Sequence, residues 1–114
     1  MKKGIDIHNY PRRVELAIRD VMNSGISKRN KDIILEFREY CSTENISLAR
    51  ISRYLGVLKQ WAEILNVNFD KAKKEDIMRA VRVIQDNGNY SPWTKSTYKI
   101  MIKRFYRWVT TSPP

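Results

Sequence analysis

The sequence is poor in the residues that build disulfides and metal sites. It has one cysteine, Cys41, and one histidine, His8, among 114 residues. A single cysteine cannot form an internal disulfide, and Cys-based zinc sites need several thiolates or imidazoles. The scarcity excludes a disulfide-stapled secreted scaffold and a zinc site of that kind. We expect no metal and no cofactor.

Long apolar runs and catalytic motifs are missing as well. No apolar stretch approaches the roughly 20 residues that a membrane span requires. Residues 1–8 contain two lysines but no long apolar segment, so no signal peptide is visible. We find no Gly-rich phosphate loop, metal-ligand spacing or catalytic triad. These absences predict a soluble, cytoplasmic domain that is not an enzyme.

Acidic residues are few. The chain has 12 Asp and Glu against 22 Lys and Arg, for a formal net charge of +10. Its 42% hydrophobic residues are too many for a disordered basic tail. Residues 91–114 hold five basic and no acidic residues, whereas residues 32–47 hold one basic and four acidic residues. This uneven pattern predicts a polarised surface with a polyanionic partner.

The apolar residues recur at helical spacing and nowhere alternate as in a strand. We therefore predict an all-α fold, a compact bundle of four to five helices joined by short connections. Residues 1–26 are predicted to form an N-terminal extension with a helix, residues 27–110 the main domain, and residues 111–114 the start of a linker. The predicted helices run from about Pro11 to Gly25, from after Ser27 to Glu44, from after Ser47 to Leu65, from Lys74 to Asp86, and from Ser91-Pro92 to Thr110.

The last helix carries the clearest candidate binding residues. Lys95, Lys99, Lys103 and Arg107 are spaced by four and lie opposite the apolar positions of the helix. Thr94 stands in the first turn, where side chains and free backbone N–H groups can meet a phosphate. Cations at this spacing repel one another, and a polyanion would relieve that repulsion. The alternative is a solvated lysine face.

The third helix offers a second candidate surface. Its polar side contains Arg50, Ser52, Arg53 and Lys59. Arginine can bind guanine or phosphate in a bidentate manner, and a helix with arginines in its first turns can enter a major groove. Ordinary surface arginines are the alternative. A weaker candidate cluster comprises Lys28, Arg29 and Lys31 at the start of the second helix, where cations oppose the helix dipole.

The aromatic residues suggest a different surface. Trp61 and Trp108 fall on apolar stripes and are predicted to be core residues, whereas Trp93 can lie at the surface. Tyr106 falls beside the basic row of the last helix. Exposed aromatic rings can stack on unpaired bases, so Trp93 and Tyr106 leave open an RNA-binding or single-strand-binding alternative.

Several segments resemble the core-binding domain of tyrosine recombinases, the phage integrases, with archaeal integrase-like members most similar. Residues 94–108 resemble the last helix of that domain. That helix typically follows a Ser-Pro-x-Thr start, which here is Ser91-Pro92-Trp93-Thr94. Residues 30–37, residues 46–51 and Tyr54-Leu55 resemble its first two helices. The resemblance covers about residues 27–110. Each of the matching helical sequence patterns is degenerate, so it is the order and spacing of the patterns together that carry the resemblance.

The resemblance implies a SAM-like helical fold that forms a clamp around duplex DNA with a separate catalytic domain. It places Arg50 and Arg53, and also Thr94, Lys95 and Lys99, on the DNA side. The implied function is double-stranded DNA binding in DNA integration and recombination. The resemblance also implies that this chain is a monomer on its own. The full-length protein would be oligomeric on DNA.

The family's catalytic His-x-x-Arg motif is absent, because Pro11 stands three residues after His8. We therefore expect a fragment without catalytic residues whose linker leads to a missing catalytic domain. A helical protein-interaction module with a basic face remains an alternative function.

Overall fold

The computed structural model describes residues 9–111. Within this range the chain forms five α-helices and one short 3-10 helix, with no strand. The α-helices are α1 (Tyr10–Asn23), α2 (Lys28–Thr43), α3 (Leu48–Leu65), α4 (Lys74–Gln85) and α5 (Pro92–Thr111), and the 3-10 helix is Phe69–Lys71. The prediction of an all-α bundle is confirmed. The 3-10 helix was not predicted, and the SAM-like assignment stays a prediction.

Serine caps begin three of the helices, as the sequence predicts. The Oγ atoms of Ser27, Ser47 and Ser91 each accept a hydrogen bond from the backbone N–H three residues later, at 3.1, 3.3 and 3.1 Å. Each bond satisfies one of the free donors of a first helical turn. The α1 helix ends before the predicted Gly25, because both the N–H and the Oγ of Ser24 donate to the Val21 carbonyl.

The centre of the bundle is α3, which packs against each of the other four α-helices. Eight of its residues are buried, among them Tyr54 and Trp61. Aromatic rings from its neighbours complete the core. Phe105 meets Phe37 and Phe69 edge to face, at centroid distances of 5.2 and 4.9 Å. Such pairs add to the stabilisation that burial provides.

The predicted N-terminal extension contributes to this core. Val14 and Val21 of α1 are buried, and α1 packs on α3. The helix is thus part of the bundle. His8 and the rest of residues 1–8, like residues 112–114 of the predicted linker, lie outside the described residues. No helix within residues 9–111 is long and apolar enough to cross a membrane.

One buried polar side chain, Asn30, holds the connection between α3 and α4. It is 2% exposed. Its Oδ1 accepts from the Phe69 N–H at 2.7 Å, and its Nδ2 donates to the Val67 carbonyl at 3.0 Å. Nearby, the Ser27 Oγ donates to the Asn68 Oδ1 at 2.7 Å. The first turn of α2 therefore fixes a segment far from it in the sequence.

Replacing Asn30 with alanine should destabilise the fold. The Phe69 N–H and the Val67 carbonyl would both lose their buried partner, and we expect a loss of about 2–4 kcal/mol in the free energy of unfolding. Urea denaturation measures it. The control is Asn89→Ala at an exposed turn, expected to change stability by less than about 0.5 kcal/mol. Equal effects of the two substitutions would contradict the role assigned to Asn30.

Replacing Gly56 with alanine should stabilise the fold. Gly56 is an exposed residue inside α3, its φ is not positive, and an added Cβ would meet no atom within 4 Å. Because glycine is a poor helix former, we expect the free energy of unfolding to rise by about 1 kcal/mol. The matched control, Gly88→Ala, lies outside the helices and should gain less. Thermal denaturation of both variants checks this, and a loss of stability in Gly56→Ala would refute it.

Candidate functional site

The basic row predicted on the last helix is present on the surface of α5. We call Lys95, Lys99, Lys103 and Arg107 the basic ridge. Lys99, Lys103 and Arg107 are exposed, and Lys95 is half-buried. Steps of four residues along a helix separate their Cα atoms by about 6 Å along the axis. No acidic residue follows Asp86 in the sequence, so α5 itself carries no carboxylate.

The first half of the basic ridge also contacts α4. The Lys95 Nζ donates to the Gln85 carbonyl at 2.7 Å, and the Lys99 Nζ donates to the Gln85 Oε1 at 2.8 Å. A cation at the C-terminus of a helix offsets the negative end of the helix dipole. Lys95 and Lys99 therefore hold α4 in place. Thr94 belongs to the cap of α5, where its Oγ1 lies 3.0 Å from the Ser91 Oγ.

Basic side chains bind the C-terminal carbonyls of two more helices. The Lys31 Nζ donates to the Met22 carbonyl near the end of α1 at 2.9 Å. The Arg79 guanidinium donates to the Leu65 carbonyl at the end of α3 at 2.9 Å. Periodicity gave no sign of these contacts, because each joins residues from different helices. Part of the positive charge of the chain therefore stabilises helix ends.

The weaker cluster at the start of α2 is engaged within the chain. Lys28 forms an ion pair with Asp32 at 3.2 Å, and Arg29 forms one with Asp70 at 3.0 Å. Lys31 contacts α1 as described above. These partners compensate for the unfavourable position of the cations at a helix N-terminus.

The two arginines of α3 lie in different surroundings. The Arg53 guanidinium stacks over the Trp93 ring, 5.1 Å from its centroid, and Trp93 is 64% exposed. Arg50 instead lines a groove together with Arg104 and Arg107. The predicted common polar side of α3 is thus divided by α5. Ser52 and Lys59 are half-buried on α3.

A polar cluster fixes the start of α5 against α3. The Gln60 Oε1 accepts from the hydroxyl of Tyr98 at 2.9 Å and from that of Tyr90 at 3.3 Å. Burial raises the pKa of Tyr98, with a smaller contribution from Tyr90. The neutral hydroxyl, which can donate to Gln60, is therefore favoured.

The structure turns the Tyr106 ring inward, so it does not offer the exposed stacking surface that the single-strand alternative requires. Tyr106 is half-buried, and its hydroxyl accepts a hydrogen bond from the Trp61 Nε1 at 3.1 Å. Trp61 is buried as predicted, and half-buried Trp108 packs against Phe37. Trp93 and Tyr106 are 13 residues apart on α5, or about 20 Å along its axis. They do not form one stacking surface.

The groove around Arg50 has a volume of about 650 Å³ and lies between α2, α3 and α5. We call it the arginine groove. Arg50, Arg104 and Arg107 line it, and Glu44 contributes one carboxylate. Its lining also contains the aromatic residues Phe37, Tyr40 and Trp108.

The thiol of Cys41 lies within the electrostatic influence of two of these arginines. Burial raises the pKa of the Cys41 thiol to about 11, although the Arg104 and Arg50 guanidiniums act in the opposite direction. Cys41 is fully buried, as its place on an apolar stripe suggested. Among residues 9–111, no group of three or more His, Cys, Asp or Glu residues is placed to hold a metal ion.

Comparison with known proteins finds a match over part of this chain. A stretch of 77 residues, 67% of this chain, is 36% identical to the anti-sigma-I factor RsgI6 of Acetivibrio thermocellus. That stretch covers 10% of the relative, so the chain spans about a tenth of the length of the curated protein it matches. No family model matches the chain, and no solved structure matches it.

This comparison overturns the recombinase function inferred from the resemblance. The relative is an anti-sigma factor and not an integrase. The prediction that the chain is the DNA-binding part of a tyrosine recombinase, acting in DNA integration and recombination, is therefore wrong. The helical patterns behind it consist of apolar spacings and basic residues, which unrelated helical bundles also contain.

The Cys41 thiol should be unreactive in the folded chain at pH 8. Because its pKa is higher in the folded than in the unfolded state, the stabilisation by the neutral thiol is complete below about pH 8.5. It is lost as the pH rises toward the folded pKa of about 11. Alkylation with iodoacetamide, followed by mass spectrometry, should be slow at pH 8 and fast in denaturant. Equal rates with and without denaturant would contradict this.

Proposed function

We propose that this chain is a non-catalytic binding module whose basic ridge binds a polyanion, and that the polyanion is duplex DNA. The observation that supports the proposal is the row of exposed cations Lys99, Lys103 and Arg107 on a helix with no carboxylate. Binding alone is proposed, without strand cleavage or joining.

The energy of binding would come mainly from charge neutralisation. Three like charges in successive turns of one helix repel one another, and phosphate groups replace that repulsion with attraction. Lysine and arginine contacts to phosphates release condensed counterions, which makes the affinity strongly dependent on salt. Lys103 and Arg107 form no side-chain hydrogen bond or ion pair within residues 9–111, so both are available to a phosphate.

Arg53 supplies a second contact region near the start of the ridge. Its guanidinium is held over the exposed Trp93 ring, which restricts its conformations before a partner arrives. A side chain ordered in advance loses less entropy on binding. In this proposal the chain acts as a monomer, and its location is cytoplasmic.

A second candidate is a regulatory module that binds an acidic protein surface. It is favoured by the name of the relative, an anti-sigma factor, because such a name describes action on another protein. The same basic ridge would serve as the contact surface, since charge complementarity also steers protein association.

Replacing both Lys99 and Lys103 with glutamine should weaken binding to a short random-sequence duplex by about tenfold or more at moderate salt. The slope of log affinity against log salt should fall by about 0.9 for each phosphate that is no longer neutralised. Fluorescence anisotropy of a labelled duplex at several salt concentrations measures both quantities.

The matched control is Lys71→Gln with Lys74→Gln, which removes the same charge from exposed positions at the end of the 3-10 helix and the start of α4. Its effect on affinity and slope should be small. If both double variants bind the duplex alike, the ridge is not the contact surface. If polyglutamate binds as tightly as the duplex, the acidic-protein candidate replaces duplex DNA.

A further inference from the structure

The arginine groove holds positive charge that the fold does not use. Within residues 9–111, Arg50, Arg104 and Arg107 form no ion pair with a carboxylate. Arg104 has one weak side-chain contact, 3.5 Å from its Nη1 to the Tyr54 hydroxyl. By contrast, Arg29 and Arg79 are both bonded within the fold. Three guanidiniums that line one cavity repel one another unless an anion joins them.

The groove combines this charge with apolar aromatic surface. Tyr40 is 38% exposed and lies next to Trp108, with their ring centroids 5.9 Å apart. The start of α3, capped by Ser47, opens into the same groove and adds the positive end of a helix dipole. The volume of about 650 Å³ lies within the range of small-molecule sites. A matching ligand has an anionic group and a flat ring.

Glu44 narrows the class of ligand. It is the one carboxylate in the lining of the groove, and a purely anionic ligand would be repelled by it. A carboxylate accepts hydrogen bonds from the exocyclic amino group of a base such as cytosine. An amino-bearing base with a phosphate therefore complements both the arginines and Glu44.

We propose that the arginine groove binds a nucleotide unit, with its phosphate at Arg50, Arg104 and Arg107 and its base against Tyr40 and Trp108. The unit is either a free nucleotide or the phosphorylated end of a strand, since both present the same chemistry. Arginine suits this task because its planar fork binds phosphate oxygens in pairs. The inference does not depend on the duplex-binding role of the basic ridge.

Calorimetric titration with cytidine 5′-monophosphate tests the proposal. The nucleotide should bind more tightly than cytidine or inorganic phosphate, because each of these offers only one of the two groups. Arg50→Gln should weaken binding by about tenfold, equivalent to about 1.4 kcal/mol. Arg50 makes no side-chain bond within the described structure, so this variant should keep its thermal stability.

The matched control is Arg19→Gln, which removes an equal charge from an exposed position on α1 and should leave nucleotide binding unchanged. A short single strand with a 5′-phosphate is then compared with the same strand without the phosphate. This comparison shows whether the groove binds a free nucleotide or the end of a strand. Stronger competition by the phosphorylated strand than by the free nucleotide points to a strand end, and the reverse points to a free nucleotide. Both results support the groove.

Three outcomes of the titrations would overturn the proposal. They are binding of inorganic phosphate as tight as that of the nucleotide, no nucleotide binding, or an Arg50→Gln variant that binds like wild type. Binding of a phosphotyrosine peptide in place of the nucleotide would also reject it. The Lys99→Gln, Lys103→Gln variant should retain nucleotide binding, so failure of the ridge and failure of the groove are distinguishable.

Discussion

The burial of α3 is the constraint on which the rest of the structure depends. Because α1, α2, α4 and α5 all pack against this helix, only a narrow part of its surface remains for polar residues. The crossing of α5 then divides that part. Arg53 and Gln60 contact the first half of α5, whereas Tyr54 and Trp61 contact its second half. Two basic surfaces, the ridge and the arginine groove, result from one central packing requirement, and they meet at Arg107.

The positive charge of the chain serves two purposes. Lys31, Arg79 and Lys95 donate to the carbonyl ends of α1, α3 and α4, where they offset the negative ends of the helix dipoles. Lys103 and Arg107 of the ridge, and the arginines of the groove, hold charge without such internal use. Net charge alone therefore overstates the surface available to a polyanion, and only the tertiary contacts show which cations remain available.

The fold followed from local sequence signals, because apolar spacing and serine caps are properties of neighbouring residues. Ser27, Ser47 and Ser91 marked helix starts correctly, and the exposure of Trp93 was anticipated. The clamp of Asn30 on Val67 and Phe69 could not be predicted, because it joins residues 37 and 39 positions apart.

The candidate sites were predicted only in part, for the same physical reason. Periodicity placed Lys99 and Lys103 on one exposed face, but it also assigned Arg50 and Arg53 to one surface that the structure divides. Arg104, which periodicity did not single out for this site, lines the same groove as Arg50. The inward orientation of Tyr106 could not be predicted, because its hydrogen bond to Trp61 involves a distant helix.

The bond between Lys99 and Gln85 couples the binding surface to the integrity of α4. A phosphate that recruits the Lys99 ammonium competes with the Gln85 side chain, while Lys95 still holds the carbonyl of the same residue. If the proposed phosphate contact forms, occupancy of the ridge and the bond from Lys99 to the Gln85 side chain are therefore linked equilibria. By reciprocity, a change that moves the Gln85 side chain away would release Lys99 for an anion. In the proposed complex, the side chain of Gln85 would therefore report at α4 whether Lys99 is engaged by a partner.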